Sequence, residues 1–256
     1  MIRFEVRGFV GLATIDRIER RNALNGELCE QLRDLLVAHP DLRAVVITGA
    51  GSAFCAGADL VTRFEQSETT AHGPVDTFRP AFEELLDAIV DHPAPVVAAV
   101  NGPAIGAGMQ LAVACDLRVA APGAKFAIPG GRLGVHLSPR NIWRVAMLAG
   151  QGAARDFLLA GRTVDADEAL RMGIVQRLGD DALADALAIA DDIAASAPLT
   201  TRGHKRSLNL VAEAQWLSAD ARTEIAALEA EAFASEDLQE GMAAFAEKRT
   251  PNFTGK

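Results

Sequence analysis

The sequence predicts an α/β fold whose C-terminal part is helical. Apolar, strand-like runs alternate with amphipathic helical segments through the first half of the chain, the pattern of a layered α/β core. Residues 43–48 (RAVVIT) are apolar almost throughout, as expected of a strand with both sheet faces covered. From residue 139 onward most of the pattern has helical periodicity.

The first half contains several short strands and three helices. Residues 2–7 and 9–15 predict a hairpin around Gly8, and Asn25 precedes a helix with leucines at helical spacing. The polar stretch 66–77 predicts a loop. The other predicted elements are a helix at 77–90, strands at 95–100, 117–120 and 125–128, and a short helix opened by the glycine-rich segment near 106.

The second half predicts helices at 140–149, 151–160, 165–172, 181–195, 198–211 and 214–235, with one short strand at 174–178. We find no internal repeat, low-complexity tract or long linker. We therefore predict a core of residues 1–195 followed by a helical region of residues 196–256.

Composition excludes some function classes. The 256 residues carry a net charge of −9, without a basic stripe, which argues against binding to nucleic acid or to anionic membrane surfaces. Cys29, Cys55 and Cys115 match no disulfide or metal-binding spacing and predict small buried side chains, so we expect no metal. No signal peptide or membrane-spanning run is evident, so we expect a soluble cytoplasmic protein.

Two loops rich in Gly and Ala each follow a buried-type strand. The first contains Ala56-Gly57-Ala58-Asp59. The second contains Ile105-Gly106-Ala107-Gly108 and opens a helix, whose first amide groups lack helical partners. Two such loops on neighbouring strands could direct two N–H groups at one oxygen, which is an oxyanion hole. Tight strand-to-helix packing is the more common explanation of such loops.

The sequence motifs of several other enzyme classes are incomplete or absent. The GAG triplets at 49–51 and 106–108 resemble the dinucleotide fingerprint, but Phe54 and Leu111 stand where its third small residue is required. The sequence has no P-loop, no GxSxG elbow and no HExxH pair.

Several long segments resemble the enoyl-CoA hydratase/isomerase (crotonase) family, in the family's order. These are ERRNALN at 19–25, AVVITGAGSAFCAGADL at 44–60, PVVAAVNGPAIGAG at 95–108, CDLRVAAPGAKFAIP at 115–129 and EKRTPNF at 247–253. The resemblance implies a spiral of repeated ββα turns and a C-terminal helical region that forms trimers, which could pair into hexamers.

The resemblance also implies a coenzyme A thioester as ligand, with no prosthetic group. The amides of Ala58 and Ala107 would hold the thioester carbonyl and stabilise an enolate. The residues that the resemblance places near coenzyme A are Arg20, Arg21, Ala23, Leu24, Ala56, Asp59 and Leu60, with Lys248 and Phe253 from the same or a neighbouring subunit. Solvated surface charge is the alternative for the two arginines.

The acids that the family's hydratases use are missing. Gln110 and Gly130 stand where two glutamates act in hydratases that this chain resembles, and Ser138 stands at a third acid position. Glutamine cannot transfer a proton at neutral pH, and glycine has no side chain. If the two loop amides are intact, we expect Gln110→Glu combined with Gly130→Glu to produce measurable hydration.

Three functions remain open. The first is an acyl-CoA-binding protein with little hydratase activity, like an actinobacterial subgroup linked to long-chain acyl-CoA and cell-envelope lipid synthesis. The second is an active isomerase, decarboxylase or slow hydratase that uses a residue such as His136, although a structural histidine is more common. The third is a structural trimer without ligand. The side chains that could line an acyl channel, or simply form core, are Phe54, Leu60, Phe64, Phe78 and Phe82.

Overall fold

A six-stranded main sheet organises the core. The computed structural model describes residues 1–60, 69–70, 73–74, 78–213 and 219–254. The main-sheet strands, in spatial order, are β1 (Ile2–Arg7), β2 (Val10–Ile15), β3 (Ala44–Gly49), β6 (Val96–Val100), β8 (Leu117–Ala120) and β11 (Arg177–Leu178). The β1–β2 pair is antiparallel and all other pairs are parallel. The predicted hairpin around Gly8 is confirmed.

The other strands of the described residues form two smaller sheets. One contains β10 (Thr163–Asp165), β9 (Lys125–Ala127) and β7 (Ala104–Ile105) in that order. The other pairs β4 (Thr69–Thr70) with β5 (Gly73–Pro74), inside the stretch predicted as a loop. The rest of that stretch, and Phe64, lie outside the described residues.

Nine helices are described, and most match the predicted segments. They are α1 (Gly26–Ala38), α2 (Phe78–Asp91), α3 (Ala107–Ala114), α4 (Pro139–Leu159), α5 (Ala166–Arg171), α6 (Ala182–Ala195), α7 (Pro198–Glu213), α8 (Ala219–Ala234) and α9 (Glu236–Glu247). Helix α1 begins as predicted, because the Asn25 side chain accepts a hydrogen bond from the Leu28 amide at 3.0 Å.

Some boundaries differ from the prediction. The two helices predicted at 140–149 and 151–160 form the single element α4, interrupted at Gly150, whose φ of 79° and ψ of 162° are not helical. The strand predicted at 174–178 is reduced to β11 because only its last two residues pair with β8. The predicted division near residue 196 falls at Ser196, between α6 and α7, and remains a prediction.

Helices cover both faces of the main sheet. On one face, Val45 and Ile47 of β3 pack in a core with α1 and α2. On the other face, Ala44 and Val46 pack against α6. Alternate residues of one strand are therefore buried on opposite sides, which explains the continuous apolar run. Since β3 and β6 are parallel neighbours, the loops that follow them emerge at the same edge of the sheet.

Candidate functional site

A cavity of about 400 Å³ opens where these two loops meet. Its walls come from the loop after β3, the loop after β6, helix α2, the segment 128–137, and the two C-terminal helices α8 and α9. Its volume is within the range of small-molecule sites. Among the described residues, this is the place that brings together most of the predicted site residues. Those that line it are Arg20, Ala23, Ala56, Ala58, Asp59, Leu60, Ala107, Gln110 and Gly130.

The two loops are held close together by backbone contacts. Cys55 and Ala104 form an isolated parallel bridge, in which the Ile105 amide donates to the Cys55 carbonyl at 3.0 Å. Gly57 has a φ of 111°, and a Cβ atom added to it would lie 3.0 Å from the Ile105 carbonyl oxygen. Only glycine fits this close approach, which brings the loop of Ala58 against the start of α3.

The amides of Ala58 and Ala107 are available to a ligand. The neighbouring amide of Asp59 donates to the Leu24 carbonyl at 2.7 Å, and that of Gly106 donates to the Ala127 carbonyl at 2.8 Å. Neither Ala58 nor Ala107 donates its backbone N–H to any other residue that the structure describes. Ala107 is the first residue of α3, so its N–H has no acceptor within the helix. Two N–H groups without acceptors among the described residues therefore belong to residues that line one cavity.

A buried asparagine, absent from our predicted site, positions the first loop. The side chain of Asn22 is fully buried, and its Nδ2 donates to the carbonyls of Ala50 and Ala53 at 2.8 and 2.7 Å. Its Oδ1 accepts from the Arg17 amide at 3.0 Å. Asn22 has a φ of 60°, a conformation that asparagine tolerates better than most residues. The asparagine within ERRNALN was therefore the sequence feature that could have indicated this role.

Asp59 is also occupied in bracing the loop. Its Oδ2 lies 2.6 Å from Nη2 of Arg17, and its side chain is only 4% exposed. The Arg17 guanidinium in addition donates to the Ala23 carbonyl at 3.2 Å. The ion pair therefore connects the segment before α1 to the loop that carries Ala58.

The predicted acid positions are next to the cavity without supplying an acid. Gln110 lies on the first turn of α3 and lines the cavity. Ser138 is the N-cap residue of α4, whose side chain accepts from the Asn141 amide at 3.4 Å. Gly130 lines the cavity inside a tight turn, in which its carbonyl accepts from the amides of Leu133 and Val135, both at 3.0 Å.

Gly130 has no room for a side chain. A Cβ atom added there would lie 2.5 Å from the Val135 carbonyl oxygen, and real Cβ atoms do not approach backbone so closely. The same turn is pressed from outside by α9, since a Cβ on Gly134 would meet the Leu238 backbone at 2.6 Å. Gly130→Glu would therefore distort the turn, so the expectation that this substitution together with Gln110→Glu restores hydration has to be corrected.

One carboxyl group in the cavity was not predicted as a site residue. Glu83, on α2, lines the cavity, and its Oε1 accepts from Nδ2 of Asn141 at 2.9 Å. Burial raises the pKa of the Glu83 carboxyl, while Ser138 and Arg144 oppose part of that rise. The sequence indicated only that Glu83 lies beside Phe82 and Leu85, two apolar positions of a predicted helix.

His136 lies elsewhere. It lines a second cavity of about 390 Å³ between the segment 128–139 and α4, and its Nδ1 is buried without a hydrogen-bond partner among the described residues. The two cavities share four lining residues, Ile128, Gly130, Val135 and Leu137.

Other predicted residues do not reach the cavity of this chain. Arg21 is exposed, Leu24 is buried in the core, and Lys248 and Phe253 are exposed near the end of the described chain. A role for the last two from a neighbouring subunit remains a prediction.

Of the aromatic residues predicted for an acyl channel, Phe78 and Phe82 line the cavity. Phe54 is core. Phe233 and Phe245, from α8 and α9, line the cavity and were not predicted.

The other reactive side chains form neither a disulfide nor a metal site among the described residues. All three cysteines are free and buried, as predicted, and burial raises the pKa of the Cys55 and Cys115 thiols to about 12. In the part of the chain that the structure describes, no group of three His, Cys, Asp or Glu side chains could hold a metal ion. No helix among the same residues has the length and apolar content to span a membrane.

Comparisons with known proteins find similar sequences and similar structures. The profile of the enoyl-CoA hydratase/isomerase family matches residues 5–256. A probable enoyl-CoA hydratase of Mycobacterium leprae is 40% identical over 253 residues, covering 96% of each chain.

Two solved structures are also similar. An enoyl-CoA hydratase/isomerase from Pseudoalteromonas atlantica T6c superposes with a TM-score of 0.85 at 34% identity, over 99% of each chain. A carnitinyl-CoA hydratase from Mycobacterium avium gives a TM-score of 0.84 at 33% identity, over 100% of this chain and 98% of that one. The predicted crotonase-type fold is confirmed, and the chain belongs to the enoyl-CoA hydratase/isomerase family.

Proposed function

We propose that this protein binds acyl-CoA thioesters in the 400 Å³ cavity, with the thioester carbonyl accepting hydrogen bonds from the amides of Ala58 and Ala107. The observation that carries the proposal is this pair of N–H groups, which donate to no residue in the described part of the chain and belong to residues that line one cavity. Backbone donors are fixed by the fold, so they stabilise charge on an oxygen without reorganisation.

We propose further that the protein adds water to enoyl-CoA very slowly. Hydration needs one group to activate water and one to protonate carbon, and each positioned group contributes roughly 10²–10⁴ in rate. Gln110 can do neither, and Gly130 offers no side chain and no space for one. Membership of the family gives the ligand class, whereas these two positions argue against its hydratase reaction.

The coenzyme would lie outside the cavity, across its mouth. Arg20 is exposed and lines the rim of the cavity, where its guanidinium would contact a phosphate of coenzyme A. The apolar side chains of Phe78, Phe82 and Leu137 would contact the first part of the acyl chain.

We also propose that the protein assembles as a homotrimer through helices of its C-terminal half. The proposal is supported by large apolar side chains that are exposed on two helices, Met147 on α4 and Leu199, Leu208 and Val211 on α7, since exposed apolar groups are often covered in an interface. Light scattering coupled to size exclusion tests this, since a trimer would have three times the 27.0 kDa chain mass. A role in fatty-acid or cell-envelope lipid metabolism is supported only by the resemblance.

The experiment that tests the proposed function combines binding and turnover on one sample. Calorimetric titrations use acyl-CoAs of increasing chain length, with free coenzyme A as the control ligand, and crotonyl-CoA hydration is assayed in parallel. We expect acyl-CoA to bind more tightly than free coenzyme A and hydration to be at least about 10² slower than in a hydratase with both glutamates.

Two results would contradict the proposal. Turnover at an ordinary hydratase rate would show that other groups replace the missing acids. Absence of binding by any acyl-CoA would leave only the structural role.

A further inference from the structure

Two carboxyl groups line the cavity among the residues that the structure describes, and only one is committed to a strong ion pair there. Asp59 is paired with Arg17 at 2.6 Å and braces its loop. Glu83 has no ion pair within 4.0 Å in the described part of the chain, and its Oε1 accepts a hydrogen bond from the neutral amide of Asn141. The cavity that lacks the family's acids therefore still contains a carboxyl group able to gain and lose a proton.

The position of Glu83 is fixed by two helices. On α2 it follows Phe82, which is buried and also lines the cavity. From α4, the Asn141 amide holds Oε1 at 2.9 Å, and the Ser138 side chain also contacts the carboxyl group. A carboxyl group held in this way keeps one orientation relative to the cavity, which a proton-transfer group requires.

The charges around Glu83 set its proton affinity. Arg144 on α4 and Arg79 on its own helix favour the carboxylate, whereas Asp87 disfavours it. Burial outweighs these effects, so the pKa of Glu83 lies above the ordinary glutamate value. A raised pKa brings a carboxyl group closer to neutral pH, where general acid–base catalysis is most effective.

We propose that Glu83 is the proton-transfer residue of this cavity, which exchanges the α-proton of a bound acyl thioester with solvent and converts 3-enoyl into 2-enoyl thioesters. This inference rests on the proposed acyl-CoA binding, and it names a reaction that adds no water.

The chemistry balances with one carboxyl group. The Glu83 carboxylate takes a proton from C2, the C–H electron pair forms the C1–C2 double bond, and the carbonyl π pair moves to the oxygen that faces the amides of Ala58 and Ala107. Return of a proton to C2 completes exchange. With a 3-enoyl thioester, delivery of the proton from the same carboxylic acid to C4 leaves the conjugated 2-enoyl product. Nothing is oxidised or reduced, and no second acid is needed, whereas hydration needs two groups.

The test measures incorporation of deuterium into the acyl chain. Butyryl-CoA is incubated with the protein in D₂O and analysed by mass spectrometry, and isomerisation of 3-hexenoyl-CoA is followed by absorbance of the conjugated product. The variant is Glu83→Gln, which keeps an acceptor for Asn141. The matched control is Glu84→Gln, at the next position of α2, where the side chain is exposed and pairs with Arg33.

We expect wild type and Glu84→Gln to exchange at the same rate, and Glu83→Gln to lose at least about 10²-fold while its butyryl-CoA affinity changes less than threefold. The wild-type rate should rise with pH, with a midpoint above the ordinary glutamate pKa of about 4.3. Glu83→Asp, which keeps the carboxyl group, should retain part of the exchange. If Glu83→Gln folds poorly, the pH dependence of the wild-type rate and the exchange by Glu83→Asp still test the proposal.

The failures of the two proposals are distinguishable. Tight butyryl-CoA binding by wild type without exchange or isomerisation would overturn the role of Glu83 and leave the binding function standing. Exchange that Glu83→Gln leaves intact would have the same meaning. Loss of all acyl-CoA binding in wild type would overturn both.

Discussion

Replacing Ala107 with proline would remove one amide N–H from the cavity while keeping the helix that carries it. Ala107 is the first residue of α3, the position at which proline is tolerated because its fixed φ suits the helix and no helical bond is lost. The chain already has proline at the first position of α4, Pro139, and of α7, Pro198. The Ala107 amide donates to no described residue, so the substitution breaks no hydrogen bond of the described chain.

The expected loss is that of one hydrogen bond to the thioester carbonyl. A neutral hydrogen bond contributes a net of about 0.5–1.5 kcal/mol, which corresponds to an affinity lower by roughly two- to twelvefold. Calorimetry with three ligands checks this: butyryl-CoA, the S-butyl thioether of coenzyme A, which has no carbonyl, and free coenzyme A. Only butyryl-CoA should bind more weakly to Ala107→Pro than to wild type.

The matched control is Glu236→Pro, at the exposed first position of α9, which follows Ser235 in an extended conformation compatible with proline. It should leave all three affinities unchanged. An equal loss for butyryl-CoA and the thioether would refute the reasoning, because the proline ring would then be acting by bulk rather than by the missing donor.

Three further outcomes are expected. Gly130→Ala should lower the free energy of unfolding by about 1–3 kcal/mol in urea titrations, because its Cβ meets the backbone of the turn, whereas Gly131→Ala, with open space around it, should stay within about 0.5 kcal/mol of wild type. Asn22→Ala should cost at least about 2 kcal/mol by the same measurement, since two carbonyls lose their buried donor. Because the folded-state pKa of Glu83 is raised, ionisation destabilises the fold as pH rises above the ordinary glutamate value. Glu83→Gln should therefore exceed wild type in stability at pH 7, with the difference shrinking below about pH 4.3; a constant difference would contradict this sign.

The sequence predicted the central sheet well, because its signals are local. Continuous apolar runs such as that of β3 predict buried parallel strands, and Asn25 predicts the start of α1. The strands β7 and β10 were missed because two or three residues carry no periodic pattern, and their pairing with β9 is set by tertiary structure. Helix α9 was not predicted: the last predicted helix ended at residue 235, and Ser235 was not recognised as the N-cap of a further helix.

The site was predicted in part. The meeting of the two glycine-rich loops could be predicted because they follow neighbouring strands, whereas the choice of the Ala58 and Ala107 amides came from the family resemblance. Glu83 was not inferred, since its relevance depends on α2 packing beside α4, which is not a local property. The steric limit at Gly130 likewise arises from a turn closed by a residue five positions later, which a motif comparison does not reveal.

The turn at Gly130 also constrains how this protein can change during evolution. Any mutation that places an acid there must first overcome the Val135 carbonyl oxygen, 2.5 Å from the position of the new Cβ. Substitution by glutamate is therefore disfavoured unless the turn itself is lengthened or displaced, and α9, packed against Gly134, resists that displacement. Because a single substitution cannot place an acid at Gly130 without moving this turn, a carboxyl group is more accessible to the cavity from positions on the helices that line it.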